Sequence, residues 1–438
     1  MMKKTFYLLA SVCLSTVMFS CESDDNVLDN GSSTNTGVTN KVMTATGQTL
    51  LYDKDGNEVS TLNEGDSCYG QDGTYQEGAV MSYTDNGDKT VTDNNTGLTW
   101  QQIPSSETMT WEEAKEYCEN LELGGYDDWR LPTPKELYSI SNFEEGWPYI
   151  DTDVFSLVQD ELSKDEQYWS SVLYVGEATE QAPGMTPPGQ ESDTGTLPPL
   201  GDTDSIDGGT LPPPPMDGEE MTPTDGSEAY AQKAFGVNYA TGHIKAYIAN
   251  ASGPIGGKYV RAVRGDNYCV NNFVDNGDKT ITDKTTGLMW AQDDASSTMD
   301  WAAALSYAES SDLAGHTDWR LPNVKELQAI VDYRYSSSST EAESQGPAIN
   351  KLFNCTSMVN EAGDDDYGYY WTGTSARFQK GGNMYYAWYV AFGRAVDGSG
   401  QDVHGAGAVR FDTKYEGGNL GEGGERYTNY VRLVRTAE

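Results

Sequence analysis

Apolar and polar positions along the chain follow two alternations, one of period two and one near 3.6, and their order occurs twice. The run Tyr83-Thr-Asp-Asn-Gly-Asp-Lys-Thr-Val-Thr-Asp93 predicts a hairpin whose Asn86-Gly87 step supplies the positive backbone angles of a tight turn. A Thr-Val-Thr strand follows, then a turn from Asn94 to Gly97 and a Leu-Thr-Trp strand. Helical spacing begins at Trp111 and continues through Ala114, Tyr117, Cys118 and Leu121, with Thr110-Trp-Glu-Glu113 as a capping box and Gly124-Gly125 as the stop. A second helix is predicted after Trp129-Arg-Leu-Pro132. Thr133 caps it, Pro134 fits the first turn, where no amide hydrogen is needed, and Glu136 completes another capping box. Leu137 and Ile140 form its buried stripe. Most of the rest is aromatic, glycine-rich strand material, as from Tyr385 to Phe392. The predicted class is α+β, with two helices packed on short antiparallel strands and long loops.

Most of these signals return. Asp85-Asn-Gly-Asp-Lys-Thr-Val-Thr-Asp93 recurs as Asp275-Asn-Gly-Asp-Lys-Thr-Ile-Thr-Asp283, and Thr96-Gly-Leu-Thr-Trp100 as Thr286-Gly-Leu-Met-Trp290. Asp128-Trp-Arg-Leu-Pro132 recurs as Asp318-Trp-Arg-Leu-Pro322, and Lys135-Glu-Leu137 as Lys325-Glu-Leu327. Further on, Tyr168-Trp-Ser170 matches Tyr370-Trp-Thr372, and Tyr259-Val-Arg-Ala-Val-Arg264 matches Tyr430-Val-Arg-Leu-Val-Arg435. Two copies of this length predict two domains, residues 46–265 and 266–438, each large enough to own a core. Residues 175–229 interrupt the first copy. They hold 10 of the chain's 17 prolines and no Lys, Arg, Phe, Trp or Tyr, a composition that cannot offset its ordering entropy by burial. The expectation is a disordered or extended insertion that serves as a spacer.

Residues 1–20 read as a targeting segment. Lys3 and Lys4 precede an apolar run from Phe6 to Phe19 that is shorter than the roughly 20 residues a spanning helix needs. Val17-Met-Phe-Ser-Cys21 resembles a lipobox, which makes Cys21 the expected lipid attachment; acyl chains add about 0.8 kcal/mol of membrane affinity per buried methylene. Residues 21–45 open with Glu22-Ser-Asp-Asp25 and continue polar, as a flexible tether would. That acidic start resembles the surface-export signal of Bacteroidota lipoproteins, so an outer-membrane lipoprotein at the cell surface is expected. The formal charge of −40 argues against nucleic acid, which is bound through clusters of Lys and Arg.

Beyond Cys13 and Cys21 the chain holds Cys68, Cys118, Cys269 and Cys355. An oxidising compartment favours two disulfides, and four cysteines allow three pairings. Cys68–Cys118 with Cys269–Cys355 would keep each bridge inside one copy. Asp85, Asp88 and Asp93, with Asp275, Asp278 and Asp283, offer hard oxygen ligands of the kind calcium takes. The alternative is a plain turn whose Asx side chains cap their own backbone. Trp129 and Arg130, with Trp319 and Arg320, read as a core anchor and a partly buried ion pair. A stacking ring beside a cation is the other reading. No catalytic residues stand out: the chain has no nucleophile elbow, no Cys/His pairing and no phosphate loop.

Taken together, the Asp-Asn-Gly-Asp, Thr-Gly-Leu-x-Trp, Asp-Trp-Arg-Leu-Pro-x-x-Lys-Glu-Leu and Tyr-Val-Arg-x-Val-Arg motifs resemble the Lcl C-terminal domain family across both copies. The resemblance implies tandem extracellular domains of C-type-lectin-like architecture, and in the namesake adhesin it implies attachment to host glycans. Members often carry Cys in the closing motif, where Ala262 and Leu433 stand here. The Trp-Arg-Leu-Pro stretch also resembles sulfatase-modifying enzymes, which need a late pair of reactive cysteines; none follows Cys355. The sugar-calcium motifs of lectins in this fold class are also missing. The expected function is therefore adhesion to a glycan or protein ligand by a surface lipoprotein that is not an enzyme. A structural subunit of an envelope assembly is the alternative, and a sulfatase-modifier-like enzyme the remote one.

Overall fold

The hairpin and capping signals become two copies of one unit in a computed structural model, which describes residues 43–158, 163–176, 232–396, 402–418 and 426–437. The expected signal segment, Cys21 and nearly all of the tether lie outside the described residues, as do residues 177–229 of the insertion. The first copy contains β1 (Tyr83–Asp85), β2 (Thr90–Asp93), β3 (Thr99–Gln101), α1 (Trp111–Glu119) and α2 (Pro134–Ser139). It continues with β4 (Gln167–Leu173), β5 (Lys233–Asn238), β6 (Ile244–Ile248) and β7 (Val263–Arg264). The second repeats the order with β8 (Phe273–Asp275), β9 (Thr280–Asp283), β10 (Leu288–Ala291), α3 (Trp301–Glu309) and α4 (Val324–Ala329). β11 (Tyr369–Ala376), β12 (Tyr386–Ala391), β13 (Val409–Thr413) and β14 (Val434–Thr436) complete it.

In each copy the opening hairpin, the third strand and the closing strand form one antiparallel sheet, β1-β2-β3-β7 and β8-β9-β10-β14. The remaining strands do something the repeat alone does not announce. β4, β5 and β6 join β11, β12 and β13 in a single six-stranded antiparallel sheet, ordered β11-β12-β13-β6-β5-β4. The two halves meet where β13 pairs with its own counterpart β6, at Val409 and Ile244. α2 and α4, also counterparts, touch across the same junction. Like elements therefore meet like elements, the pattern of an isologous two-fold contact.

Separate cores were expected for residues 46–265 and 266–438. Each copy keeps a cluster of its own, around Trp111, Trp129 and Trp169 in the first and Trp301, Trp319 and Trp371 in the second. A third and larger cluster draws on both, with Trp100, Phe143 and Phe235 beside Trp290, Trp388 and Phe411. The described residues fall in one compact unit.

The lead-in from Thr46 to Asp72, assigned by sequence to the first copy, packs on the second. Gln48 Nε2 donates to Ser375 O at 3.1 Å, and its Oε1 accepts from Ser375 N at 2.8 Å. Buried Asp72 accepts hydrogen bonds from Thr46 Oγ1 at 2.8 Å and Thr374 Oγ1 at 2.6 Å. The crossing is reciprocal: after the first copy closes, Tyr268 N returns to Glu136 Oε1 at 3.1 Å, and Lys135 Nζ donates to Asn271 Oδ1 at 2.6 Å.

Burial pushes the Asp72 carboxyl up to about 6 from an ordinary 3.8, against the two threonine hydroxyls that favour its charge. A carboxyl raised in the folded state binds a proton that the unfolded chain has released. Stability should therefore fall as pH rises from about 4 through about 6. Asp72→Asn, which keeps an acceptor for both hydroxyls, should remove that part of the slope, worth about 1.4 kcal/mol for each unit of displacement. Urea titrations of both proteins across this range provide the check, and equal slopes would refute the assignment.

Local expectations fared unevenly. Both capping boxes of the first copy are formed, Thr110 with Glu113 and Thr133 with Glu136, and Asn323 with Glu326 forms the box of α4. The hairpin turn differs: its positive φ angles fall on Gly87 and Lys89, and again on Gly277 and Lys279. Asn86, just past the strand, donates its amide to Thr90 O at 3.1 Å, and its Nδ2 bridges Thr90 Oγ1 and Thr92 Oγ1 at 2.9 and 3.0 Å. α1 also stops at Glu119, before the glycines, where Asn120 Nδ2 satisfies Glu116 O at 2.8 Å. Gly124 and Gly125 serve the next turn, closed by two bonds of 3.1 Å between Leu123 and Tyr126.

Candidate functional site

The shared motifs converge on one arrangement in each copy, and it is a brace. Arg130 lies in two parallel hydrogen bonds, both 2.7 Å, with Glu136; Arg320 does the same with Glu326 at 2.7 and 2.6 Å. The same glutamates accept from the N-cap amides of Thr133 and Asn323 at 2.8 Å, so one carboxylate closes a helix and holds a guanidinium. Trp129 and Trp319 are buried, and their Nε1 groups donate to Leu123 O and Leu313 O at 3.2 and 3.0 Å. Asp128 binds Arg264 Nε at 2.6 Å and Asp318 binds Arg435 Nε at 2.7 Å, which ties this motif to the closing strand.

The first arginine of each closing motif was not singled out by sequence, although its repetition was visible. Arg261 and Arg432 are fully buried. Arg261 donates to the carbonyls of Gln101, Gln102 and Ser156 at 2.9, 2.7 and 2.6 Å. Arg432 donates to those of Ala291, Gln292 and Asn354 at 2.9, 2.8 and 2.6 Å. Each guanidinium thus ties the end of a strand, β3 or β10, to a separate loop, a fixing role suited to a forked donor.

The aspartates proposed for calcium do not converge. Asp85 Oδ1 accepts from Gly87 N at 2.8 Å, Asp88 Oδ1 from Thr90 N at 3.1 Å, and Asp93 Oδ1 from Asn95 N at 3.0 Å. Asp275 and Asp278 repeat the first two bonds, and Asp283 Oδ1 takes Asn272 N and Thr285 N at 2.9 and 3.0 Å. These are Asx turns, and each carboxylate caps its own backbone. Among the described residues no group of three or more His, Cys, Asp or Glu could hold a metal ion. Calcium or a chelator should accordingly move the melting temperature by less than about 1 °C, whereas a bound ion at a hundred times its dissociation constant would add about 2.7 kcal/mol. Differential scanning fluorimetry decides between them.

The expected disulfides are corrected as well: Cys68, Cys118, Cys269 and Cys355 are all free thiols. Cys68 travels with the crossing lead-in into the cluster of the second copy, while Cys118 stays on α1 against Trp111 and Trp129 in the first. Cys269 is buried in the shared cluster, and Cys355 Sγ lies 3.5 Å from Arg432 Nη2. Burial pushes the Cys118 and Cys269 thiols up to about 12 and about 11, and raises the other two, which makes all four weak nucleophiles.

Among the described residues, one opening that a ligand could enter is a cleft of about 290 Å³ in the second copy, walled by Tyr335, Pro347, Phe353 and Tyr367 and edged by Gln345 and Lys351. Its origin is a difference between the copies. A bridge from Ser141 to Ile150 closes the loop after α2, and a bridge from Val331 to Ile349 closes the one after α4. The enclosed segments are residues 142–149 and 332–348, so the second is about twice as long. Its arms are held together by Ser336 N to Ser344 O at 3.0 Å and Gly346 N to Ser336 O at 3.3 Å. Lys351 Nζ sits 4.8 Å from the Tyr335 ring centre, a cation over an aromatic face. Rings with amides and one ammonium can hold a ligand by stacking and hydrogen bonding.

Comparison with known proteins adds one result. The sequence profile described as the Lcl C-terminal domain matches residues 89–192 and again residues 279–435, together more than half of the chain. No curated protein and no solved structure matches it. The two matched stretches contain both braces and the cleft-forming loop, and on that match the chain belongs to the Lcl C-terminal domain family.

Proposed function

We propose that this chain is a surface-exposed lipoprotein, anchored through Cys21, that binds a glycan or protein ligand and carries out no chemistry on it. One observation supports the reading most: the polar groups that recur in both copies are consumed by internal bracing, as in Arg320 with Glu326 and Arg432 with three carbonyls. Recognition is then left to surface features such as the aromatic cleft. We read each copy as C-type-lectin-like, a reading supported by two helices packed with antiparallel strands and by closing strands that lie beside β3 and β10.

The intact protein should be tested on arrays of glycans and matrix proteins, with and without a calcium chelator. Binding that survives chelation and weakens at least about five-fold in a Tyr335→Ala, Tyr367→Ala variant is the expected outcome, given that one stacked aromatic is worth about 1 kcal/mol. No binding under either condition would reject adhesion. Recovery of a fixed envelope partner in its place would establish a structural subunit. Mass spectrometry of the mature N-terminus tests the acyl group on Cys21.

A further inference from the structure

The insertion of the first copy leaves its fold beside the cleft of the second. Gly176, the last described residue at its start, lies so close that a Cβ there would sit 2.5 Å from Ser338 Oγ. Tyr174 Oη meets Ser336 Oγ at 2.9 Å and also bonds Asp402. At the other end Lys233 Nζ donates to Asp402 O at 2.9 Å, so both ends of the insertion are fastened to the same place. The next residue back from Ser336 is Tyr335, a wall of the cleft, and Ser336 is bonded to Gly346 on the opposite arm of that loop.

The two chemistries also fit. The insertion reads Thr196-Leu-Pro-Pro199 and then Thr210-Leu-Pro-Pro-Pro-Pro-Met-Asp217, with many Asp and Glu and no Lys or Arg. Proline-rich sequences hold an extended left-handed helix before they bind, and so lose little entropy on docking between aromatic walls. The cleft supplies Tyr335, Phe353, Tyr367 and Pro347, with exposed Lys351 for an acidic neighbour such as Asp217. Seventeen residues separate Pro215 from Gln232, and a flexible chain of that length has a root-mean-square span of about 23 Å.

We propose that the aromatic cleft of the second copy is the docking site of the chain's own proline-rich stretch, Thr210 to Asp217. Tethering raises the local concentration of that stretch to the order of 1 mM, so a dissociation constant near 0.1 mM would keep the cleft about nine-tenths filled. An external ligand of the cleft would have to displace it.

Cys355 lines the cleft and reports on its occupancy. In the full-length chain, its alkylation by a small maleimide, mapped by peptide mass spectrometry, should be slow. Replacing Pro198, Pro199 and Pro212 to Pro215 by serine should speed it on the order of ten-fold, with the melting temperature unchanged. Adding a synthetic peptide of residues 210–217 at millimolar concentration should restore protection. An unchanged rate in the serine variant would overturn the proposal. So would protection of the intact chain that fades on dilution, because the occupant would then be a second molecule.

Discussion

Glu326→Ala should cost the chain about 3–5 kcal/mol, the loss expected when one partner of a buried ion pair is removed and the other charge is stranded. Arg320 keeps only 5 % of its side-chain surface exposed and Glu326 3 %, so water cannot easily replace the lost carboxylate. Glu77 approaches Arg320 at 3.8 Å but from a half-exposed position, which compensates weakly. The helix cap disappears as well, for about 1 kcal/mol more. Glu136→Ala in the first copy removes the matching bonds and the one from Tyr268 N, still with a smaller effect, about 1–3 kcal/mol, because Arg130 is 29 % exposed and can be rehydrated. Glu326→Gln separates the contributions, since its amide oxygen can still accept from Asn323 N while the charge is gone. Urea midpoints at constant slope give all three values. If the alanine variant of the first copy were the more damaging, the account based on burial would be wrong.

This contrast shows where sequence reading reached and where it stopped. Thr110 with Glu113 and Thr133 with Glu136 were legible because a capping box is closed by residues three apart, and nothing distant can overrule it. The Trp-Arg-Leu-Pro brace was half legible: burial of the ring and ion pairing of the guanidinium follow from residue type. That its partner would be the capping glutamate six residues on does not. The structure forms neither expected disulfide, and for Cys68–Cys118 the reason is non-local. Keeping each bridge within one copy assumed that chain order sets neighbourhood, and the lead-in carrying Cys68 crosses to the other copy. Calcium was suggested by a real density of carboxylates, but one oxygen of each already had a backbone amide two residues away. The cleft left no motif at all. It arises from loop length, visible only as the drift in register between the copies.

The junction between the copies leads to the other large effect: Trp388→Ala should lower the unfolding of both copies together. Trp388 belongs to β12, but its ring packs edge-on against Phe143 and Tyr149 of the first copy, with centroids 5.5 and 5.4 Å away, and lies 5.6 Å from His243. Gly242 is pressed so close that a Cβ there would come within 2.7 Å of the indole. The reverse contact is made by Tyr333 of the second copy, 4.6 Å from Phe235. Truncating a buried Trp typically costs 3–5 kcal/mol, and here the cavity would open between copies that share one sheet and one cluster. Two lobes with private cores would melt in two steps, and a substitution in one would leave the other step in place. Copies joined through β6 and β13 should show one calorimetric transition, displaced as a whole in the variant. A second, unshifted transition would mean that the β6–β13 contact, a single residue pair in register, transmits no stability, and that each repeat folds on its own after all.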